Sequence, residues 1–197
     1  PVSEELSMRG FLTSLFVLTL VATPMVDCEA NSDSIAAYVS SSSGDGFDLN
    51  YLDYDILLAA ASKANLVGAL ANPDVELTLF APNDWAFVLL ACDLGYSGFS
   101  EAGAWDFLDQ NVPTGLLTSV LLYHVVGEEL SATDVLIAGI FRQPIFTLLG
   151  PSFQPSFLTL IDNDPDSPNA GLFFPINVST GNGKVHTITR VLRPIDL

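Results

Sequence analysis

His124 and His186 are the only histidines in the chain, and they are the side chains best suited to acid–base chemistry or metal ligation. A zinc site gathers several Cys, His or carboxylate ligands, and neither histidine has a Cys or a second His at ligand spacing. Nucleophilic catalysis needs an activated Ser or Cys beside a base, and no G-x-S-x-G elbow or similar turn is present. The sequence therefore offers no catalytic set and no cofactor motif. The chain is expected not to be an enzyme, and both histidines are expected to be hydrogen-bonded within the fold, as buried polar groups are. The densest acidic run is Asp162-Asn163-Asp164-Pro165-Asp166. Asp162, Asp164 and Asp166 begin with the spacing of an EF-hand loop. Ser167 stands where that loop needs Gly, however, and Phe173 where it needs its closing Glu. Two readings remain for this run, a polar turn between strands and a weak calcium site.

Phe141, Phe146, Phe153, Phe157, Phe173 and Phe174 make the second half rich in phenylalanine, with Pro144, Pro151 and Pro155 between them. They suit either core packing between sheet and helices, or an apolar groove for a lipid or a partner protein. Asn177-Val178-Ser179 is an N-glycosylation sequon at Asn177, relevant in a eukaryotic host if the site is exposed.

Composition narrows the function classes. Hydrophobic residues make up 49% of the 197, enough for a real core. Asp and Glu number 23 against 6 Lys and Arg, a formal net charge of −17. Nucleic-acid binding through phosphates needs clustered cations, so it is excluded, and anionic membranes and acidic polysaccharides would repel the chain. The acidity suits a solvated, aggregation-resistant surface, or calcium bridging between surfaces.

Residues 8–30 have the layout of a secretory signal peptide: Arg9, an apolar run from Phe11 to Ala22, and small residues Cys28 and Ala30 at the positions a signal peptidase reads. The run is short for a membrane span, so no stable span is expected after cleavage; an uncleaved anchor is the alternative. Cleavage after Ala30 would leave Cys92 alone, whereas retention would permit a Cys28–Cys92 disulfide. The expected location is secreted, extracellular or cell-surface (periplasmic in a bacterium).

In the remainder of the chain, Ser40-Ser41-Ser42-Ser43-Gly44-Asp45-Gly46 marks 31–47 as a flexible linker. Helical spacing predicts a helix over 51–71 with Leu52, Ile56, Leu57 and Ala60 on one face, and Asn72-Pro73 ends it. Leu77 to Phe80 reads as a strand. Asn83 then caps a helix whose apolar face is Trp85, Ala86 and Phe87. Further helices are predicted over 101–110 and around Leu116 to Leu121, with Ser131 and Asp134 as a capping box. From Ile145 onward the pattern is β, with strands over 145–149, 157–161, 172–178 and 184–192. Pro175 makes the third of these an edge or a bulged strand. Helices early and strands late give an α+β fold class.

Three segments resemble one family. Thr78-Leu79-Phe80-Ala81-Pro82-Asn83-Asp84-Trp85-Ala86-Phe87 is similar to the first fasciclin (FAS1) box, T-x-F-A-P-T-D-x-A-F. Leu122-Tyr123-His124-Val125-Val126 resembles the central Tyr-His motif. The run from Asn182 to Pro194 resembles the second box, N-G-x-V-H-x-I-D-x-V-L-x-P, with Thr189 in place of Asp. The resemblance covers 48–197, after upstream and signal residues 1–30 and the linker 31–47. It implies a compact β-sandwich or wedge of mixed strands with helices packed against it, and an extracellular adhesion or interaction module that contacts a protein or polysaccharide. Some algal relatives carry carotenoids, so a soluble carrier of an apolar ligand is the alternative. In some animal relatives the Tyr-His region and Asp-Ile pairs are linked to integrin binding, which makes Asp55, Ile56, Tyr123 and His124 interaction candidates.

Overall fold

A computed structural model describes residues 34–44 and 46–195. The signal-peptide reading and Cys28 lie outside the described residues. Among those described, no helix is long and apolar enough to cross a membrane.

The linker expected over 31–47 is corrected by α1 (Ile35–Ser42), a helix whose Ile35, Ala36, Tyr38 and Val39 are buried. Ser34 caps it by accepting from the Ala37 N–H at 3.1 Å. The serines that suggest flexibility satisfy themselves in a helix end: Ser41 Oγ donates to the Tyr38 carbonyl and Ser43 Oγ to the Val39 carbonyl. The apolar Ile35-Ala36-Ala37-Tyr38-Val39 before them supplies the burial that decides the segment. The folded domain therefore begins before residue 48.

The single helix predicted over 51–71 is two, α2 (Asp55–Lys63) and α3 (Val67–Leu70), separated by Asn65 in the left-handed region at φ 56°. Ile56, Leu57 and Ala60 face the core as expected, whereas Leu52 precedes α2 and is exposed. β1 (Leu77–Pro82) follows, then α4 (Asp84–Asp93), α5 (Glu101–Asn111) and α6 (Thr114–Tyr123). Asn83 caps α4 through its side-chain oxygen, which accepts from the Ala86 N–H at 3.0 Å. Because that oxygen replaces a helical partner at a buried turn, Asn83→Ala is expected to lower unfolding free energy by about 1–2 kcal/mol in urea titrations. Ala86 and Phe87 are buried as the spacing requires, but Trp85 is partly exposed and packs edge-on against Tyr51 at 5.5 Å.

β2 (Val125–Val126) leads to α7 (Ala132–Phe141), whose start carries the expected Ser131–Asp134 capping box. The remaining strands are β3 (Ile145–Phe146), β4 (Ser152–Ser156), β5 (Thr159–Ile161), β6 (Ala170–Thr180) and β7 (Gly183–Ile188). The strand predicted over 157–161 is interrupted because Phe157 sits at φ 58° in the turn between β4 and β5.

The seven strands lie in the order β2-β1-β7-β6-β5-β4-β3. β1 pairs with β7 in parallel over six residues from Leu77↔Gly183 to Pro82↔Ile188, and the other pairs are antiparallel. A hydrogen bond from Leu148 N to the Val125 carbonyl at 2.7 Å links the two ends, so the sheet curls into a nearly closed wedge. One face of the central strands, with Leu79, Ala81 and Val185, packs on α1, α2, α4 and α6. The opposite face, with Phe80, Ile188 and Leu160, closes on Phe153 and on Val135 of α7. Strand side chains alternate between faces, so β1 and β7 feed two separate cores. The fold class is α+β. β6 is the bulged strand that Pro175 predicts, and it lies inside the sheet.

Candidate functional site

The motif histidines are fastenings of the fold. His124 is completely buried. Its Nε2 accepts from the Leu192 N–H at 2.8 Å, and this fixes the proton on Nδ1, which donates to the Val120 carbonyl at 2.7 Å. The ring thus joins α6 to the chain beyond β7, and burial pushes its pKa down to about 4. His186 Nδ1 accepts from the Asn177 N–H at 3.2 Å, and its Nε2 donates to the Leu130 carbonyl at 2.9 Å. Next to it, Thr187 Oγ1 donates to the Pro175 carbonyl and is hydrogen-bonded to Tyr54, each at 2.6 Å. His186 and Thr187 therefore stitch the β6 bulge from opposite faces. Thr189, where the family pattern has Asp, bonds the Gly171 N–H and carbonyl across the β6–β7 pair.

The expected interaction residues do not reach the surface. Ile56, Tyr123 and His124 are completely buried and Asp55 nearly so, which corrects their reading as contact points for a partner. Tyr123 donates to the Ser152 carbonyl at 2.9 Å instead. The Asn177 sequon is also buried, with its side-chain oxygen accepting from the Ala132 N–H at the start of α7, so the folded domain does not present it for glycosylation. Cys92 is a half-buried free thiol.

The 162–166 run is organised by a cation of the chain itself. The Arg193 guanidinium contacts Asp164 at 3.1 Å and also Asp93. Asp162 accepts from the Arg193 and Asp164 backbone N–H groups, and Asp164 Oδ1 accepts from the Asp166 N–H. These are the bonds of a polar turn.

A different acidic group does converge, one that no short motif announces. Oxygens of Asp48, Asp55 and Glu101 lie within 4.8 Å of one another, and so do those of Asp53, Asp84 and Glu101. Asp84, at the first position of α4, accepts from the Asp55 and Ile56 N–H groups and so caps α2. Desolvation, with neighbouring carboxylates adding to it, raises the pKa of Asp55 to about 6 and of Glu101 to about 7, and raises that of Asp84 as well. The members are as far apart as residues 48 and 101, so their meeting depends on how the loop before α2 crosses the N-termini of α4 and α5.

The phenylalanines divide. Phe153 is 1% exposed and packs edge-on against Phe80 at 5.0 Å. Phe141, Phe146, Phe157 and Phe174 are well exposed, and Phe173 partly so. Core packing thus holds for one of the six. Ile137 and Ile140 of α7 are exposed alongside them. Gly139 lets α7 lie directly on the β4–β5 turn, where an added Cβ would stand 3.0 Å from the Phe157 nitrogen. A cleft of roughly 470 Å³ runs between α7 and β3, with Leu130, Ile137, Pro144 and Phe146 on its walls and Glu128 and Asp134 among its polar residues.

The family model for the fasciclin domain matches residues 52–194. A solved FAS1 domain pair from the insect cell adhesion molecule fasciclin I is structurally similar, with a TM-score of 0.57 at 14% identity. The match covers 81% of this chain and 50% of that one, so this chain spans about half of the solved pair. No curated protein matches the sequence.

Proposed function

This chain belongs to the fasciclin domain family, and from that premise we propose that it is an extracellular adhesion and interaction module that binds a protein or polysaccharide through an apolar face. The observation that carries this reading is the exposure of Ile140 and Phe141 on α7, Phe146 on β3, Phe157 in the β4–β5 turn and Phe174 on β6. Aromatic side chains held on a rigid frame are strong contact anchors, because little conformational entropy is lost when they are covered. The net charge of −17 favours a neutral or cationic partner over an acidic polysaccharide. Single-site affinity would be low and would be raised by display in many copies.

The experiment is binding of the multivalent protein to cells of its own source and to their matrix polymers. The double variant Phe141→Ser/Phe174→Ser is expected to lose about tenfold or more in apparent affinity, as removal of aromatic anchors does. Its stability should change by less than about 1 kcal/mol, because both rings already face solvent. A wild-type protein that binds neither cells nor polymers sinks the proposal.

The cleft beside α7 favours a second reading, a carrier of an apolar ligand. Its roughly 470 Å³ is within the range of small-molecule sites. It is small for a carotenoid, Glu128, Glu129 and Asp134 are part of its lining, and Phe146 alone of the nominated phenylalanines is among its lining residues. Pigment or lipid in an organic extract of the natively purified protein, at near one per chain, would move this reading to the front.

A further inference from the structure

The carboxyl cluster beneath the loop before α2 combines burial, convergence and missing partners. Asp53, Asp55 and Glu101 are 5%, 6% and 1% exposed. Each keeps one buried oxygen without a hydrogen-bond partner: Asp53 Oδ1, Asp55 Oδ2 and Glu101 Oε1. Their other bonds are already set. Glu101 Oε2 accepts from the Asp48 N–H at 2.8 Å, Asp53 Oδ2 accepts from the Asn50 amide at 3.0 Å, and both Asp84 oxygens cap α2. None of the ion pairs among the described residues involves any of the five acids. A buried, unpaired carboxylate is strongly unfavourable, and three facing one another are more so. Such a group needs either shared protons or a cation.

We propose that Asp48, Asp55 and Glu101 bind one divalent cation, calcium by its chemistry, which staples the loop before α2 to the start of α5. Calcium takes six to eight oxygens at about 2.3–2.6 Å in flexible geometry. Two oxygens on one such ion stand at most about 5 Å apart, so carboxylates converging within 4.8 Å suit it. Asp48 is exposed and gives the ion a route in and room for water ligands. Magnesium, which demands strict octahedral geometry and gives up its water reluctantly, fits an irregular buried cluster less well. The titratable groups that face the site are Asp48, Asp53 and Tyr54 from the loop, Asp55 of α2, Asp84 of α4 and Glu101 of α5. All are neutral or anionic, so protons compete with the ion.

The test is calorimetric titration of the full chain with calcium chloride, with thermal melts in chelator and in about 10 mM calcium. One ion per chain is expected, with a Kd of about 10⁻⁴ M or tighter, and a Tm rise of about 5–10 °C. Glu101→Gln and Asp55→Asn should each abolish the rise while melting in chelator at or above the wild-type temperature, because each removes an unpaired buried charge. Asp166→Asn, in the Arg193-bound turn, should respond as wild type does. Affinity should fall by at least tenfold between about pH 7.5 and pH 5. The proposal is overturned if wild type shows neither heat nor a Tm shift, which would mean that shared protons hold the cluster. It is equally overturned if Glu101→Gln keeps the response, if Asp166→Asn loses it, or if affinity is the same at both pH values.

Discussion

Gly183→Ala is expected to leave little folded protein, with a loss of more than about 4 kcal/mol, a size reserved for disruption of a packed centre. Gly183 opens β7 at φ 144°, in a region that L side chains rarely adopt. An added Cβ there would stand 1.8 Å from the Leu77 carbonyl oxygen and 2.7 Å from its carbon, the first residue of β1. Backbone cannot yield as the end of a flexible side chain can. β1 would have to leave β7, the pairing that joins the two cores. Adjacent Asn182 raises the stake: its side chain accepts from the Ile35 N–H and donates to the Leu70 and Asn72 carbonyls. Near-UV circular dichroism and urea titration check this. A variant that loses under about 1 kcal/mol would mean that β1 and β7 do not meet as described.

The second large effect is at His124. His124→Ala is expected to lose about 3–4 kcal/mol, since it strands the buried Leu192 N–H, removes the bond to Val120 and opens a cavity. The pH dependence is more diagnostic. The folded-state pKa of about 4 lies below the usual 6.5, so on acidification the unfolded chain takes up the proton first. The contribution of neutral His124 is fully present above pH 6.5 and is lost as pH falls toward 4, amounting to about 3 kcal/mol over that window. Asp55 and Glu101 act with the opposite sign: their raised pKa values stabilise the fold at low pH, a gain that is lost as pH rises through about 6 and 7. The carboxyls are common to wild type and His124→Ala. The difference between their stability–pH profiles therefore isolates the histidine, and it should shrink steadily from pH 6.5 to 4. A difference that stays constant with pH contradicts the buried neutral ring.

Much of the fold was legible because its signals are local. Asn83 and Ser131 bring their partners within three residues, and the apolar spacing of Ile56, Leu57 and Ala60 needs only one helix turn. Pro175 announces the bulge by lacking an N–H. The boundary at residue 48 misled because serine composition spoke louder than the apolar residues before it, and Ile35 is held by Asn182, 147 positions away. The site residues were less legible for the same reason. A Phe in a loop-like stretch reads alike whether it fills the core, as Phe153 does, or faces water, as Phe157 does, because the difference is which side of a twisted sheet it leaves. The carboxyls at 48, 53, 55, 84 and 101 have no fixed spacing, so packing alone brings them together, whereas the orderly 162–166 run is neutralised by Arg193.

The parallel pairing of β1 with β7 also has a mechanical side. Pulled from the two ends of the domain, β1 is drawn backward from Leu77 while β7 is drawn forward from Ile188. Because the strands run the same way, the force slides one along the other and loads their evenly spaced hydrogen bonds together. An antiparallel hairpin pulled from its open end would give way one bond at a time. The helices before β1 lie in series with it, and tension reaches the segment between the two strands only once this pair has sheared.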